Sequence, residues 1–172
     1  MAKYGIGQAI TRREDQRLLT GTGKYVDDLV LPGQVFAAFV RSPHPRARIT
    51  SVDGTNAQLM PGVLAVYSGA DVLADDLGAM PINTGLRNAA GKPMAAPPYF
   101  ILATDEARFV GQAVAVVLAE TRVQAEDAAE QVIVEYEELP SFTTIDAATA
   151  EGALQLWPDA PGNVAAQTDR KS

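Results

Sequence analysis

Hydrophobic and polar positions change period several times along the chain, most clearly between Val110 and Tyr136. Residues 114–119 form an unbroken apolar run rich in β-branched valine, too short for a membrane span and suited to a strand buried on both faces. Such a strand is expected at the centre of a sheet. Thr121 and Gln124 have the spacing of a capping box, so a helix is expected to begin near Arg122. Ala125, Ala128, Ala129 and Val132 recur at i, i+3, i+4 and i+7, giving that helix an alanine-lined face while Glu126, Asp127 and Glu130 stay in water. From Val132 the period becomes two: Val132, Val134 and Tyr136 share one side, Ile133, Glu135 and Glu137 the other, and Pro140 stops the strand. Strand, helix and strand at this length predict a βαβ crossover.

Shorter elements are expected before and after this unit. Thr11-Arg12-Arg13-Glu14 has capping-box spacing and opens a short helix, which Gly21 and Gly23 close by supplying positive φ. Lys24–Asp28 reads as irregular or briefly extended, and Leu31-Pro32-Gly33-Gln34 has type II turn chemistry. Strands are expected at 35–41 and 47–53, separated by Ser42-Pro43-His44-Pro45, whose prolines force an extended bend. Thr55-Asn56-Ala57-Gln58 repeats the capping-box spacing before a second short helix. Val63–Tyr67 is the strand beyond it, and Ser68-Gly69-Ala70-Asp71 opens a helical turn. Residues 75–98 hold four prolines, three glycines and no period, a long loop of the kind that is usually functional or flexible. Tyr99–Ala103 is expected to return as a strand and Asp146–Ala150 as one helical turn. The domain is expected to occupy residues 1–156, with 157–172 a linker towards a further region.

Composition narrows the classes. A chain of 172 residues fits one domain with its own core, and 47% apolar with 20% charged residues is ordinary for a globular protein. Without cysteine, the chain can make no disulfide, thiolate zinc site or cysteine-ligated iron–sulfur cluster. The N-terminus lacks the apolar run of a secretory signal, so a soluble, cytoplasmic protein is expected. The net charge of −7 is unevenly spread: residues 1–48 carry eight Lys/Arg against four Asp/Glu, and residues 120–138 carry seven acids against one Arg. The plain reading is a wet acidic helix face with scattered surface bases; the other is a basic N-terminal face that meets a partner. Nucleic acid does not suit an acidic chain without interleaved aromatics.

Self-contained chemistry is not legible. Gly85–Pro93 resembles a phosphate loop only superficially, because the spacer is five residues and Pro93 replaces the magnesium-binding hydroxyl. Gly21-Thr22-Gly23 lacks the third glycine and the preceding strand of a dinucleotide fingerprint. His44 is the only histidine, which by itself makes neither a metal site nor a triad. The acid pairs Asp27-Asp28, Asp75-Asp76 and Glu137-Glu138 are adjacent in sequence, so each pair points apart and is solvated. No catalytic, cofactor-binding or metal-ligating residue is assigned.

Several runs taken in order carry a resemblance: Arg13-Glu14-Asp15-x-Arg17-Leu18-Leu19-Thr20-Gly21-x-Gly23-Lys24-Tyr25-Val26-Asp27-Asp28, Leu31-Pro32-Gly33, Arg41-Ser42-Pro43-His44-Pro45-Arg46-Ala47-Arg48-Ile49, Met60-Pro61-Gly62-Val63, and Val110-Gly111-Gln112 leading to Val134–Pro140. Together they resemble the N-terminal α/β-hammerhead domain of the molybdenum-binding large subunit in the xanthine dehydrogenase and aldehyde oxidase family, nearest the aerobic carbon monoxide dehydrogenase type. The resemblance implies an α+β fold with a mixed sheet, a few short helices and a long Pro/Gly-rich loop. It also implies a parent molybdenum hydroxylase carrying molybdopterin cytosine dinucleotide, with iron–sulfur clusters and FAD on partner subunits. The catalytic glutamate and cofactor loops of that family belong to regions beyond the hammerhead, so this chain by itself is expected to be inactive. Arg12, Arg13, Arg17, Arg41, His44, Arg46 and Arg48 are the candidate contacts to the molybdopterin domains or the iron–sulfur partner, and Met80 and Met94 of the long loop are candidates to cover an apolar neighbour. Two other classes stay open. A biotinyl or lipoyl carrier would need a lysine in a Met-Lys-Met-like hairpin, a context that Lys3, Lys24, Lys92 and Lys171 lack. A free-standing interaction or assembly subunit differs from the hammerhead reading in genetic context rather than in residues.

Overall fold

The structure, a computed structural model, describes residues 12–82, 84–88 and 91–167. The chain divides into two compact units, Met1–Gln34 and Val35–Ser172.

In the first unit, helix α1 spans Asp15–Leu19 and begins later than the capping-box spacing predicts. Glu14 holds the cap position without a side-chain cap bond. Thr11, to which the spacing assigns that role, lies outside the described residues. Gly21, at φ 70°, turns the chain so that the Thr22 and Gly23 amides both donate to the Arg17 carbonyl, at 2.9 and 3.0 Å. Residues 24–28 are irregular: Tyr25 is extended, and Val26–Asp28 form a 3-10 turn whose Asp28 carboxylate accepts the Tyr25 N–H at 2.9 Å. The turn at Leu31–Gln34 is present, with Gly33 at φ 76° and the Gln34 amide bonded to the Leu31 carbonyl.

The second unit contains β1 (Phe36–Arg41), β2 (Ala47–Asp53), α2 (Thr55–Gln58), β3 (Val63–Ser68), α3 (Gly69–Ala74), β4 (Glu106–Ala107), β5 (Ala113–Ala119), α4 (Arg122–Ala129), β6 (Ile133–Glu138) and α5 (Ile145–Thr149). The strands form two three-stranded sheets, β1-β5-β3 and β4-β2-β6, in which every pairing is antiparallel. The valine-rich strand is central, as its apolar pattern requires. The βαβ crossover is not formed, because β5 and β6 lie in different sheets. Both edges of β5 are taken by β1 and β3, and β6, with one wet face, pairs instead with β2. Helix α4 is capped by Thr121, whose Oγ1 accepts the Gln124 amide at 3.3 Å and donates to Gln124 Oε1 at 2.9 Å.

Alanines on α4 let it lie close to the sheet. Ala128 and Val132 pack with Ala57, Ala115 and Val117, flanked by Val40, Val66 and Val134. A fully buried valine such as Val117 contributes about 1.5–3 kcal/mol through removal of apolar surface from water. Gly62 is demanded by its backbone, at φ 79°; a Cβ there would also meet the amide end of the flexible Gln124 side chain at 2.2 Å, a contact that the side chain relieves by turning aside.

Two further expectations are corrected. Thr55 is the first residue of α2 rather than its cap, and its amide is held by Asp53 Oδ1 at 2.9 Å. That bond, with the Thr55 hydroxyl, lowers the Asp53 carboxyl below its ordinary value; the hydroxyl is the larger cause. Tyr99–Ala103 is not a strand: it meets β5 only through Ala103, because β1 and β3 pair along the rest of that strand. Leu102 and Ala103 are buried instead, and the Ala103 amide meets the Ala113 carbonyl at 2.8 Å. Strand β4 was invisible to pattern, two residues being too few to show a period. Beyond α5, Asn163 Nδ2 donates to the carbonyls of Ala148 and Leu154 and its Oδ1 accepts the Leu156 amide, while the Ala95 amide bonds Ala165. Among the described residues no helix is long and apolar enough to cross a membrane.

Candidate partner interface

The seven basic candidates divide by environment. In the first unit, Arg12, Arg13 and Arg17 are exposed on and just before α1. In the second unit, Arg41 closes β1, His44 sits in the proline bend, and Arg46 and Arg48 enter β2.

Antiparallel pairing of β2 with β6 sets Arg48 opposite Glu137 and Ala47 opposite Glu138, which brings the basic segment against the acidic strand. Arg48 Nη1 bonds Glu137 Oε2 on the wet face, where both side chains are more than half exposed. Such a pair contributes about 0–1 kcal/mol. His44 Nδ1 lies 3.5 Å from Glu138 Oε1, and its ring meets Tyr136 edge-on with centroids 4.9 Å apart. Burial of Tyr136 raises its phenol above the ordinary value, opposed by a hydrogen bond with the Ser42 side chain. Arg41 differs: its Nη1 donates to the Gly111 carbonyl at 2.8 Å and its guanidinium stands 5.6 Å from the Phe39 ring centre.

The tightest electrostatic cluster includes residues the sequence did not single out. Arg46 Nε bonds Glu106 Oε1, the two side chains being only 12% and 16% exposed, and Arg46 Nη1 reaches the Pro140 carbonyl at 3.2 Å. Arg108 approaches the same carboxylate, with Nη2 3.7 Å from Glu106 Oε2, and also bonds Asp105 at 3.4 Å. Its guanidinium lies 3.9 Å from the ring centre of Trp157, and its Nε is buried without a hydrogen-bond partner among the described residues. One carboxylate therefore serves two arginines. Arg108 and Trp157 line a cleft of about 450 Å³ together with Asp105, Glu106 and the Tyr99 and Phe109 rings, which stack 6.5 Å apart. Only the alternation across Glu106-Ala107-Arg108 and the uniqueness of Trp157 marked these positions in the sequence, and neither says which residues meet.

This charge arrangement does not resemble a seat for an anionic dinucleotide cofactor. The half-buried guanidiniums of Arg46 and Arg108 already face Glu106, and that of Arg48 faces Glu137. Among the described residues no group of three or more His, Asp and Glu gathers to hold a metal ion.

Residues 20–140 match the family described as aldehyde oxidase and xanthine dehydrogenase, a/b hammerhead domain. The chain belongs to that family. Over 159 residues it is 40% identical to the 6-hydroxypseudooxynicotine dehydrogenase complex subunit gamma of Paenarthrobacter nicotinovorans, covering 89% of this chain and 19% of that protein. Over 136 residues it is 43% identical to the carbon monoxide dehydrogenase large chain of Afipia carboxidovorans, covering 79% of this chain and 16% of that protein. The crystal structure of the Cu,Mo-CO dehydrogenase superposes with a TM-score of 0.74 and 39% identity over 90% of this chain and 18% of that one. The chain thus spans less than a fifth of these relatives. The α+β hammerhead expected from its motifs is the fold it has, built on two antiparallel sheets rather than the mixed sheet expected, and it corresponds to the hammerhead region of molybdenum hydroxylase large subunits.

Proposed function

We propose that this chain serves as the hammerhead module of a cytoplasmic molybdenum hydroxylase large subunit. In this reading residues 1–156 form the module and 157–172 lead towards a molybdopterin-binding region of the same polypeptide. The parent enzyme oxidises its substrate at molybdopterin cytosine dinucleotide and passes electrons to iron–sulfur and flavin partners. The module supplies no catalytic group; it packs beside the cofactor region and presents basic side chains to a partner. The carrying observation is the family match over residues 20–140 combined with coverage of 16–19% of the relatives.

Among the basic candidates, Arg41 and, separately, Arg12, Arg13 and Arg17 are the proposed partner contacts. Their exposure supports this choice, and the carboxylates already facing His44, Arg46 and Arg48 argue against a principal role for those three. The test is the mass and molybdenum content of the polypeptide purified from its source. A chain several times longer, with molybdenum bound, is expected; a metal-free product of this length that co-purifies with other subunits would instead establish a dedicated assembly protein. Within the long form, Arg41→Glu and Arg17→Glu should weaken retention of the iron–sulfur partner, and undiminished retention would remove these residues from the interface.

A further inference from the structure

The sheet β1-β5-β3 is apolar on both faces but covered on one. Ala115 and Val117 of β5 are buried on the α4 side, whereas on the opposite side Val114 is buried but Val116 and Leu118 are only partly covered. That open side is the floor of a groove of about 390 Å³, walled by α3 and by the segment carrying Ile101. Phe39 and Tyr67 are 41% and 42% exposed there, and Leu77 and Ile101 are each 54% exposed. The charged residues lining the groove, Asp71 and Asp75, are both acidic. Asp71 is held ionised by the Ser68 N–H and hydroxyl, at 2.7 and 2.8 Å, which lower its carboxyl below the ordinary value.

A central strand with no polar position on either face is the pattern of a sheet sandwiched between two layers, and here the layer opposite α4 is only partial, supplied by α3 and the segment at Leu102. We propose that the missing part of that layer is a segment of the remaining large-subunit polypeptide, apolar along its length with a Lys or Arg directed at Asp71 and Asp75. This inference rests on the proposed function and names the surface that function uses. Length supports a covalently attached occupant: more than four fifths of each relative lies outside the stretch this chain matches. The acidic rim selects a basic residue on that occupant, because a carboxylate brought against Asp71 and Asp75 without a counter-charge would be repelled.

The test uses the carbon monoxide dehydrogenase large chain of Afipia carboxidovorans with this sequence in place of its own matching stretch, compared with this chain alone. Phe39→Glu and Ile101→Glu are introduced in both, with Thr50→Glu on β2 of the other sheet as reference. Because Phe39, Ile101 and Thr50 are exposed, all three variants of the chain alone are expected to melt as the unsubstituted chain does. In the large chain, Phe39→Glu and Ile101→Glu are expected to lower the yield of folded protein about tenfold while Thr50→Glu does not, the effect of charging the centre of a desolvated contact. Groove variants that leave the large chain unaffected would overturn the inference and spare the proposed function. An isolated chain that dimerises, and that Phe39→Glu renders monomeric, would overturn it in favour of a second copy. Failure of the unsubstituted chimera to fold would count against the proposed function itself, and the inference would fall with it.

Discussion

Glu106→Gln is the most informative single substitution because one carboxylate faces two arginines. The amide keeps the volume of the side chain, so no cavity opens, but Arg46 and Arg108 are left as half-buried cations sharing a neutral partner. Breaking a fully buried pair by removing one member costs about 3–5 kcal/mol, whereas an exposed pair contributes about 0–1. Glu106 is 16% exposed and its arginines 12% and 19%, which places the loss between those limits, at about 2–3 kcal/mol. For a domain of this size each kcal/mol moves the melting temperature by about 2–4 °C, so Glu106→Gln should melt about 4–12 °C lower by circular dichroism. Salt separates this cluster from the surface. The Glu106→Gln deficit should largely persist in 1 M NaCl, whereas the small effect of Arg48→Ala at the exposed Glu137 pair should vanish. A Glu106→Gln protein melting within about 2 °C of the original would refute the reasoning, showing that Pro140, Asp105 and Trp157 satisfy the two guanidiniums without the carboxylate.

Two further predictions concern α3. At Gly69 a Cβ would lie 2.1 Å from the Ala103 carbonyl oxygen and 2.7 Å from Thr104 Cα, so Gly69→Ala must displace the backbone that bonds the end of β5, at a cost of about 1–3 kcal/mol in a denaturant titration. Gly78→Ala, with nothing within 4 Å, should be neutral or slightly stabilising, and equal effects at the two sites would sink the argument. Ser68→Ala removes a donor to Asp71 and should cost about 1 kcal/mol at neutral pH. Since the folded Asp71 carboxyl lies below its unfolded value of 3.8, its contribution is present above that value and lost as pH falls through the folded one. The gap between Ser68→Ala and the original chain should therefore close below about pH 4, and a gap independent of pH would exclude the carboxylate as the partner.

Local pattern determined much of this protein. The valine run of β5, the Thr121 cap and alanine face of α4, the alternation of β6 and the turn at Pro32-Gly33 each rest on interactions among residues close in sequence, so period and cap chemistry could reveal them. The ordered motifs from Arg13 to Pro140 likewise sufficed for the family. What the sequence could not decide was partnership between distant segments. It made the basic segment and the acidic strand look like separate charge regions, and only the β2–β6 register sets Arg48 beside Glu137. It suggested a βαβ crossover because strand, helix and strand follow one another, but which edges remain free depends on β1 and β3, far away in the chain. Nor could it expose Glu106, a two-residue strand whose role exists only because Arg46, sixty residues earlier, and Arg108 converge on one carboxylate. Periodicity records which way a side chain faces; the tertiary structure alone decides what it faces.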